Sequence, residues 1–221
     1  MAAIGEVLGD AVTPEVADAW SALYQELADL LISLEKQRYQ AFEQEPGGWR
    51  GARRFRIAKT HQESCVIRSF ILEPEDGGQV AAHLPGQYIG VKLTIGGQPV
   101  YRHYSLSDVQ RHSYRLSIKR EAHGVASRYF HDQLNVGDTI ELLPPAGELI
   151  LAGNKEPLML ISGGVGQTPL LPIAKQALEQ GRSVTYLHAA LDAEHHAFAD
   201  DLAELRNAYP RPVEYCHHLR K

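Results

Sequence analysis

Only two cysteines, Cys65 and Cys216, occur in the 221 residues. They lie far apart and match neither a metal-ligand spacing nor a redox pair, so both are expected to be reduced thiols in the core. Long apolar runs are absent too. The longest, around Leu158 to Ile161, falls far short of the about 20 residues that a membrane-spanning helix needs. Positive charge is not in excess: 22 Lys and Arg stand against 27 Asp and Glu, a formal net charge of -5. The basic residues are scattered, which leaves no electrostatic footprint for nucleic acid. The opening MAAIGEVLGDAV carries Glu6 and Asp10 where a secretory signal would carry a basic start and an apolar stretch, so a cytoplasmic location is expected. What is present is ordinary for a folded chain, 44% hydrophobic and 22% charged residues, enough to build real cores.

The chain divides into three expected parts, residues 1–48, 49–154 and 155–221. In the first, Thr13 is a plausible N-cap, Pro14 occupies the first helical position and Glu15 suits the positive end of the dipole. Val16, Trp20, Leu23, Leu27, Leu30, Leu31 and Leu34 then recur at helical spacing until Pro46-Gly47-Gly48, which predicts one long helix with an apolar face. Apart from a short helical segment, Ala2 to Leu8, nothing nearby offers that face a partner, so the helix reads as the end of something larger. In the second part, Arg54–Ala58, Cys65–Leu72, Tyr88–Leu93, Tyr101–Leu106, Tyr114–Lys119 and Thr139–Leu143 are short runs rich in β-branched and aromatic residues. Turn signals separate them, which predicts a small antiparallel barrel interrupted by one helix at Val125–Leu134. The third part alternates a strand (Leu158–Ser162), a glycine-rich turn, a helix (Pro169–Gln180), a strand (Ser183–His188), a helix (His196–Ala208) and a strand (Val213–His217). That order begins a doubly wound parallel sheet. The expected fold class is therefore multidomain α+β: a helix, a six-stranded antiparallel β-barrel, then a partial α/β, Rossmann-like domain.

Three groups of residues carry chemistry. In Tyr101-Arg102-His103-Tyr104-Ser105, strand alternation sets Arg102 and Tyr104 on one face, about 7 Å apart. A guanidinium fork matches phosphate oxygens, and a phenol ring is a platform for a planar heterocycle. Alone, such a match is most often an ordinary strand. In Gly124-Val125-Ala126-Ser127 a glycine and a serine open the barrel's one helix, where free N–H groups and the dipole favour phosphate, and Pro85-Gly86-Gln87-Tyr88 is a tight turn into a strand headed by an aromatic. Ser162-Gly163-Gly164-Val165-Gly166-Gln167-Thr168-Pro169 follows a strand and opens a helix, the context in which glycines let the backbone approach a pyrophosphate. The histidines show no zinc spacing, so no metal site is expected. Ser105 lacks the nucleophile elbow of a hydrolase. Glu63, Glu73, Glu75 and Asp76 read as solvated loop charges.

The order R-x-Y-S, G-x-x-S on a helix, then strand-G-x-G-Q-T-P resembles the ferredoxin-NADP reductase family. Within it, GGWRGARRFRIAKT, PGQYIGVKL, RHYSLSD, ISGGVGQTPLL and LHAALDAEHHAFADDLAEL closely resemble bacterial flavohaemoglobins, the nitric oxide dioxygenases, over essentially the whole chain. The resemblance implies FAD and NAD(P)H as cofactors and makes residues 1–48 the C-terminal remnant of a globin domain, 49–154 the FAD-binding barrel and 155–221 the first part of an NAD(P)-binding domain. It implies that Arg102 holds the FAD phosphate, that Tyr104 packs on the isoalloxazine, that Ser105 bonds near its reactive nitrogen, that Tyr88 and His103 also contact FAD, and that Gly124 and Ser127 lie at the pyrophosphate. Gly164, Val165, Gly166, Gln167, Thr168 and Pro169 would meet NAD(P)H, with Thr168 near the nicotinamide. Glu35 matches a glutamate that joins a tyrosine in a relay to the haem-ligating histidine. Counterparts of that histidine, of the distal residues, of a Cys-Gly-Pro loop and of a C-terminal aromatic segment are not found, so the chain reads as truncated at both ends and haem is not expected on it. The implied function is a reductase module that passes electrons from NAD(P)H through FAD to a haem that dioxygenates nitric oxide to nitrate. A stand-alone flavin reductase of the same superfamily and a non-catalytic remnant are the alternatives. Small molecules, including nitric oxide and oxygen by family, are the expected partners; nucleic acid and membrane are not.

Overall fold

A computed structural model describes residues 2–110, 112–209 and 213–219, with no side-chain detail for 213–219. The chain forms two compact units, Met1–Glu45 and Pro46–Lys221. The first contains helix α1 (Ala2–Leu8) and helix α2 (Pro14–Glu43). Thr13 caps α2, its Oγ1 accepting from the Val16 N–H at 3.4 Å, and Pro14 follows at the first helical position. Thirty residues give a helix about 45 Å long. None of them is buried, and Trp20, Leu23, Leu27, Leu30, Leu31 and Leu34 are all exposed. The apolar face read from the sequence is real and lies open.

The second unit carries two sheets. The larger is antiparallel, with strands β1 (Arg53–Gln62), β2 (Ile67–Pro74), β3 (Tyr88–Ile95), β4 (Gln98–Ser105), β5 (Tyr114–Lys119) and β6 (Thr139–Ala146) in the order β4-β3-β6-β1-β2-β5. Period-two alternation sends Phe55 and Ile57, Phe70 and Leu72, Ile89 and Val91, Leu116 and Ile118, and Ile140 and Leu142 into one core. Bulges at Ile57/Lys59 and Ile89/Val91 bend the sheet. A single bridge, Leu106 to Leu116, joins the β4 and β5 sides. The observed element is thus a curved six-stranded sheet, and the closed barrel expected from strand count has no ladder between β4 and β5 to make it.

Aromatic rings plug the sheet. Trp49, Phe55 and Tyr114 lie with ring centroids 5.5 to 6.3 Å apart, and the Tyr114 hydroxyl, deep in the core, donates to the Ala81 carbonyl at 2.7 Å, as a buried phenol must. Helix α3 (Val125–Asp132) lays Phe130 edge-on against Phe70 at 5.1 Å.

The smaller sheet is parallel, β7 (Leu158–Gly163), β8 (Val184–Ala190) and β9 (Val213–Leu219), in that order. Helices α4 (Leu170–Glu179) and α5 (Ala199–Ala208) bury Leu171, Ile173, Ala174, Ala177, Leu202 and Leu205 with Leu160, Tyr186 and Phe198. Ile67 of β2 joins this cluster, so the two sheets share apolar packing. Helix α5 begins at Ala199, three residues later than the pattern suggests, because Phe198 takes a left-handed φ of 62° and turns inward. Cys65 is exposed, contrary to its expected place in the core: it precedes β2 in a loop, where its N–H bonds to the Glu194 carbonyl at 2.9 Å. The Cys216 side chain lies outside the described residues.

Candidate active site

The turn Pro85-Gly86-Gln87 delivers Tyr88 to the head of β3. Gly86 has φ +96°, and a Cβ there would stand 1.9 Å from the Leu149 carbonyl oxygen, so no other residue fits. Gln87 locks the turn: its Oε1 accepts from the Leu84 N–H at 2.8 Å and its carbonyl from the Leu106 N–H at 2.9 Å. Antiparallel register then places Tyr88 opposite Ser105, Ile89 opposite Tyr104, Gly90 opposite His103 and Val91 opposite Arg102. The Tyr88 and His103 rings meet at 4.8 Å across the strands. Tyr104 is half-buried, edge-on to Phe130 at 5.6 Å. Burial pushes its phenol above the usual tyrosine range, with the Arg102 charge pulling the other way, so the two side chains are electrostatic neighbours, as alternation requires. Arg102 is exposed, one Nη donating to the Tyr101 carbonyl at 2.7 Å. Tyr88, Arg102, His103, Tyr104 and Ser105 therefore share the β3–β4 ribbon.

Gly124 is the N-cap of α3 and brings no side-chain cap, which leaves the first-turn N–H groups open. Ser127 is buried, and its Oγ accepts from the Glu121 N–H at 3.2 Å, tying the helix start to the preceding loop. Phe130 links this helix to the ribbon through Tyr104.

The glycine-rich stretch forms a short 3-10 turn, Gly164–Gln167, after β7, and α4 starts at Leu170. Thr168 folds back, its N–H and hydroxyl donating to the Val165 carbonyl at 3.1 and 3.0 Å. Gln167 is fully buried, yet among the described residues neither its amide nitrogen nor its oxygen has a hydrogen-bond partner. A buried amide left unpaired costs about 1–3 kcal/mol. Gly166 has no left-handed φ, and a Cβ there would meet no atom of the described residues within 4 Å. Packing within the chain does not call for a glycine at 166.

Glu35 lies on α2, in the first unit, where its Oε1 accepts from the Tyr39 hydroxyl at 3.1 Å. Glu63, read as a solvated loop charge, is not one: only 6% of its side chain is exposed, Ser69 donates to it, and burial pushes its carboxyl above the usual range. Glu73, Glu75 and Asp76 pair with Arg56, Arg54 and Arg53, the last through two bonds at 2.7 and 3.0 Å. Pairings across strands are invisible to a linear reading. Among the described residues, no group of three His, Cys, Asp or Glu side chains could hold a metal ion, and no helix is long and apolar enough to cross a membrane.

An antiparallel sheet with an Arg/Tyr/Ser ribbon, followed by a parallel sheet with a glycine-rich turn at its first strand end, is the arrangement of flavin-dependent pyridine-nucleotide oxidoreductases. The family model for the oxidoreductase FAD-binding domain matches residues 54–150 and that for the oxidoreductase NAD-binding domain matches 160–221. The flavohemoproteins of Pseudomonas putida and Pseudomonas aeruginosa are 49% and 50% identical to the chain over 218 and 215 residues, 97% and 96% of it. The FAD/NAD-binding domain of the Vibrio cholerae nitric oxide dioxygenase superposes with a TM-score of 0.68 at 37% identity, over 76% of this chain and 73% of that one. The flavohemoglobin of Malassezia yamatoensis, solved with bound FAD and heme, gives a TM-score of 0.86 at 26% identity, over 100% of this chain and 58% of that one. The chain belongs to the flavohemoprotein family. It spans about half the length of the curated relatives it matches, 56% and 54% of the two Pseudomonas proteins.

Proposed function

We propose that this chain is the electron-transfer module of a flavohemoprotein, taking a hydride from NAD(P)H onto FAD for delivery as single electrons to a haem acceptor, in the service of nitric oxide detoxification. The buried, unpartnered amide of Gln167 in the turn after β7 carries the reading. Beside the uncrowded Gly166, it is a polar group that a nucleotide would satisfy in a space that a nucleotide would fill.

The residues fit both cofactors. Arg102, exposed at the edge ribbon, offers its guanidinium to the FAD phosphates. The uncapped start of α3 at Gly124, braced by Ser127, adds N–H donors for the pyrophosphate. Tyr104, backed by Phe130, presents a rigid ring to the isoalloxazine and keeps its phenol proton. Tyr88 and His103 form an aromatic pair on the other face of the same ribbon, and Ser105 ends β4 with a hydroxyl offered to the reactive nitrogen. On the nucleotide side, Gly164 to Pro169 receive the phosphates and Thr168 faces the nicotinamide. The flavin, when bound, supplies the switch between two-electron and one-electron chemistry; the protein's part is to seat and orient.

Haem does not fit on the first unit. Residues 1–45 contain no histidine, and the family's axial imidazole has no substitute there. We assign α2 to the last helix of a globin domain, with domain limits at 48 and 154, and place the acceptor haem outside these residues. Glu35 bonds locally to Tyr39.

Anaerobic addition of NADH to the FAD-loaded protein tests the reading: the visible flavin band bleaches, and the purified chain alone consumes no nitric oxide. A flavin that stays oxidised in excess NADH and NADPH would overturn it.

A further inference from the structure

We propose that Arg115 and Asp201 are positioning residues that clamp the glycine-rich turn over the antiparallel sheet and so set the distance for hydride delivery; this deepens the function proposed above and rests on it. Arg115 is the second residue of β5, opposite Ile71 of β2. Its Nη2 donates to two acceptors at 2.7 Å, the Ser107 carbonyl on its own sheet's side and Asp201 Oδ1 on α5. The two side chains are 12% and 28% exposed, so the pair is screened far less than a surface bridge. The guanidinium carbon lies 5.8 Å from the centroid of the Phe198 ring. Phe198 is the one non-glycine residue with positive φ among those described, and it is fully buried in the parallel-sheet core. That backbone conformation is rare for an aromatic residue, and here it aims the ring at Arg115.

Behind the clamp lies a buried anchor. The Ser107 and Ser117 hydroxyls meet at 2.7 Å, those of Ser117 and Ser69 at 2.7 Å, and Ser69 donates to Glu63. Burial pushes the Glu63 carboxyl up, and the Arg115 charge pulls it back down. Strand β5 also runs next to the Gly164–Gln167 turn, and a cavity of about 140 Å³ lined by Ser107, Arg115, Lys175 and Asp201 marks the seam. The apolar contacts of Ile67 with the second core hold the layers together without fixing a direction. A partly buried guanidinium bonded to both sides does fix one.

The test uses Arg115→Ala, Arg115→Lys, Asp201→Asn and the double variant Arg115→Ala/Asp201→Asn, each loaded with FAD. The readouts are FAD affinity, the stopped-flow rate of flavin reduction by NADH, the NADH dissociation constant, and tryptic cleavage at Lys155 in the segment between the sheets. Misplacing reacting groups by about 1 Å costs roughly a hundredfold in rate, so Arg115→Ala and Asp201→Asn should each slow reduction at least about tenfold. FAD and NADH affinities should stay within about threefold, and Lys155 should be cut faster. Arg115→Lys should recover part of the rate, and the double variant should be little worse than either single one, because both remove the same interaction. Unchanged reduction rates with unchanged cleavage would overturn the clamp, as would losses that multiply in the double variant or that track FAD loss. If the parent protein binds FAD but NADH does not reduce it, the functional reading fails while the cleavage rates still decide the clamp.

Discussion

Gly86→Ala is the substitution whose cost the structure defines most sharply. Two effects add. At φ +96° an alanine is in a region open almost only to glycine, at a cost of about 1–3 kcal/mol. Its Cβ would also stand 1.9 Å from the Leu149 carbonyl oxygen and 2.8 Å from Ile173 Cδ1. The first of these is backbone and cannot rotate away, so the chain must shift, for a further 1–3 kcal/mol or so. A total of about 2–6 kcal/mol is a large part of the roughly 5–15 kcal/mol that holds a domain folded. Gly137 supplies the control: its φ is +100°, and a Cβ added there would meet nothing within 4 Å among the described residues. Gly137→Ala should show the conformational cost alone. Urea unfolding followed by tryptophan fluorescence measures both, Trp49 being buried beside Phe55 in this unit. Equal losses for the two variants would refute the clash, and with it the close docking of the Leu149 segment on the turn that delivers Tyr88.

Other outcomes follow from the same packing. Phe130→Ala removes a fully buried ring that touches both Phe70 and Tyr104; it should cost about 3–5 kcal/mol in urea unfolding and weaken FAD binding, whereas a loss under about 1 kcal/mol would contradict the packing. Leu27→Glu and Leu30→Glu on the open face of α2 should each move unfolding stability by no more than about 0.5 kcal/mol, and larger losses would show that the face is covered. His83 is held neutral by burial, which pushes its pKa below 6.5. The unfolded chain therefore binds a proton that the folded one resists, so stability is complete above about pH 6.5 and falls as pH drops through the lowered folded value. His83→Gln should flatten that part of the stability–pH curve, and an unchanged slope would refute the assignment.

Much of the architecture is legible in the sequence because it is local. Thr13-Pro14, the β-branched runs, the turn glycines and the strand–turn–helix around Gly166 each declare themselves within a few residues, and these elements form within a few residues of their patterns. What escapes a linear reading depends on partners far along the chain. Glu63 reads as solvated because Ser69 comes to it only through the pairing of β1 with β2. The Arg115–Asp201 pair joins residues 86 apart. Cys65 reads as apolar and buried, but it falls in the loop before β2 rather than on the strand. Phe198 delays α5 because a tertiary contact outweighs helical propensity. The Arg102–Tyr104–Ser105 ribbon is visible from alternation, whereas its backing by Phe130 is not.

The central claim is that the β3–β4 ribbon and the start of α3 form an FAD site. Titration of the purified protein with FAD, followed by flavin fluorescence and by identification of the flavin released on denaturation, tests it most directly. The account predicts saturable binding of one FAD per chain, weakened at least about tenfold by Arg102→Ala, in line with a charge-assisted phosphate contact of roughly 1.5–3 kcal/mol, and weakened also by Tyr104→Ala. No binding at any FAD concentration, or equal binding by the parent and both variants, would contradict it.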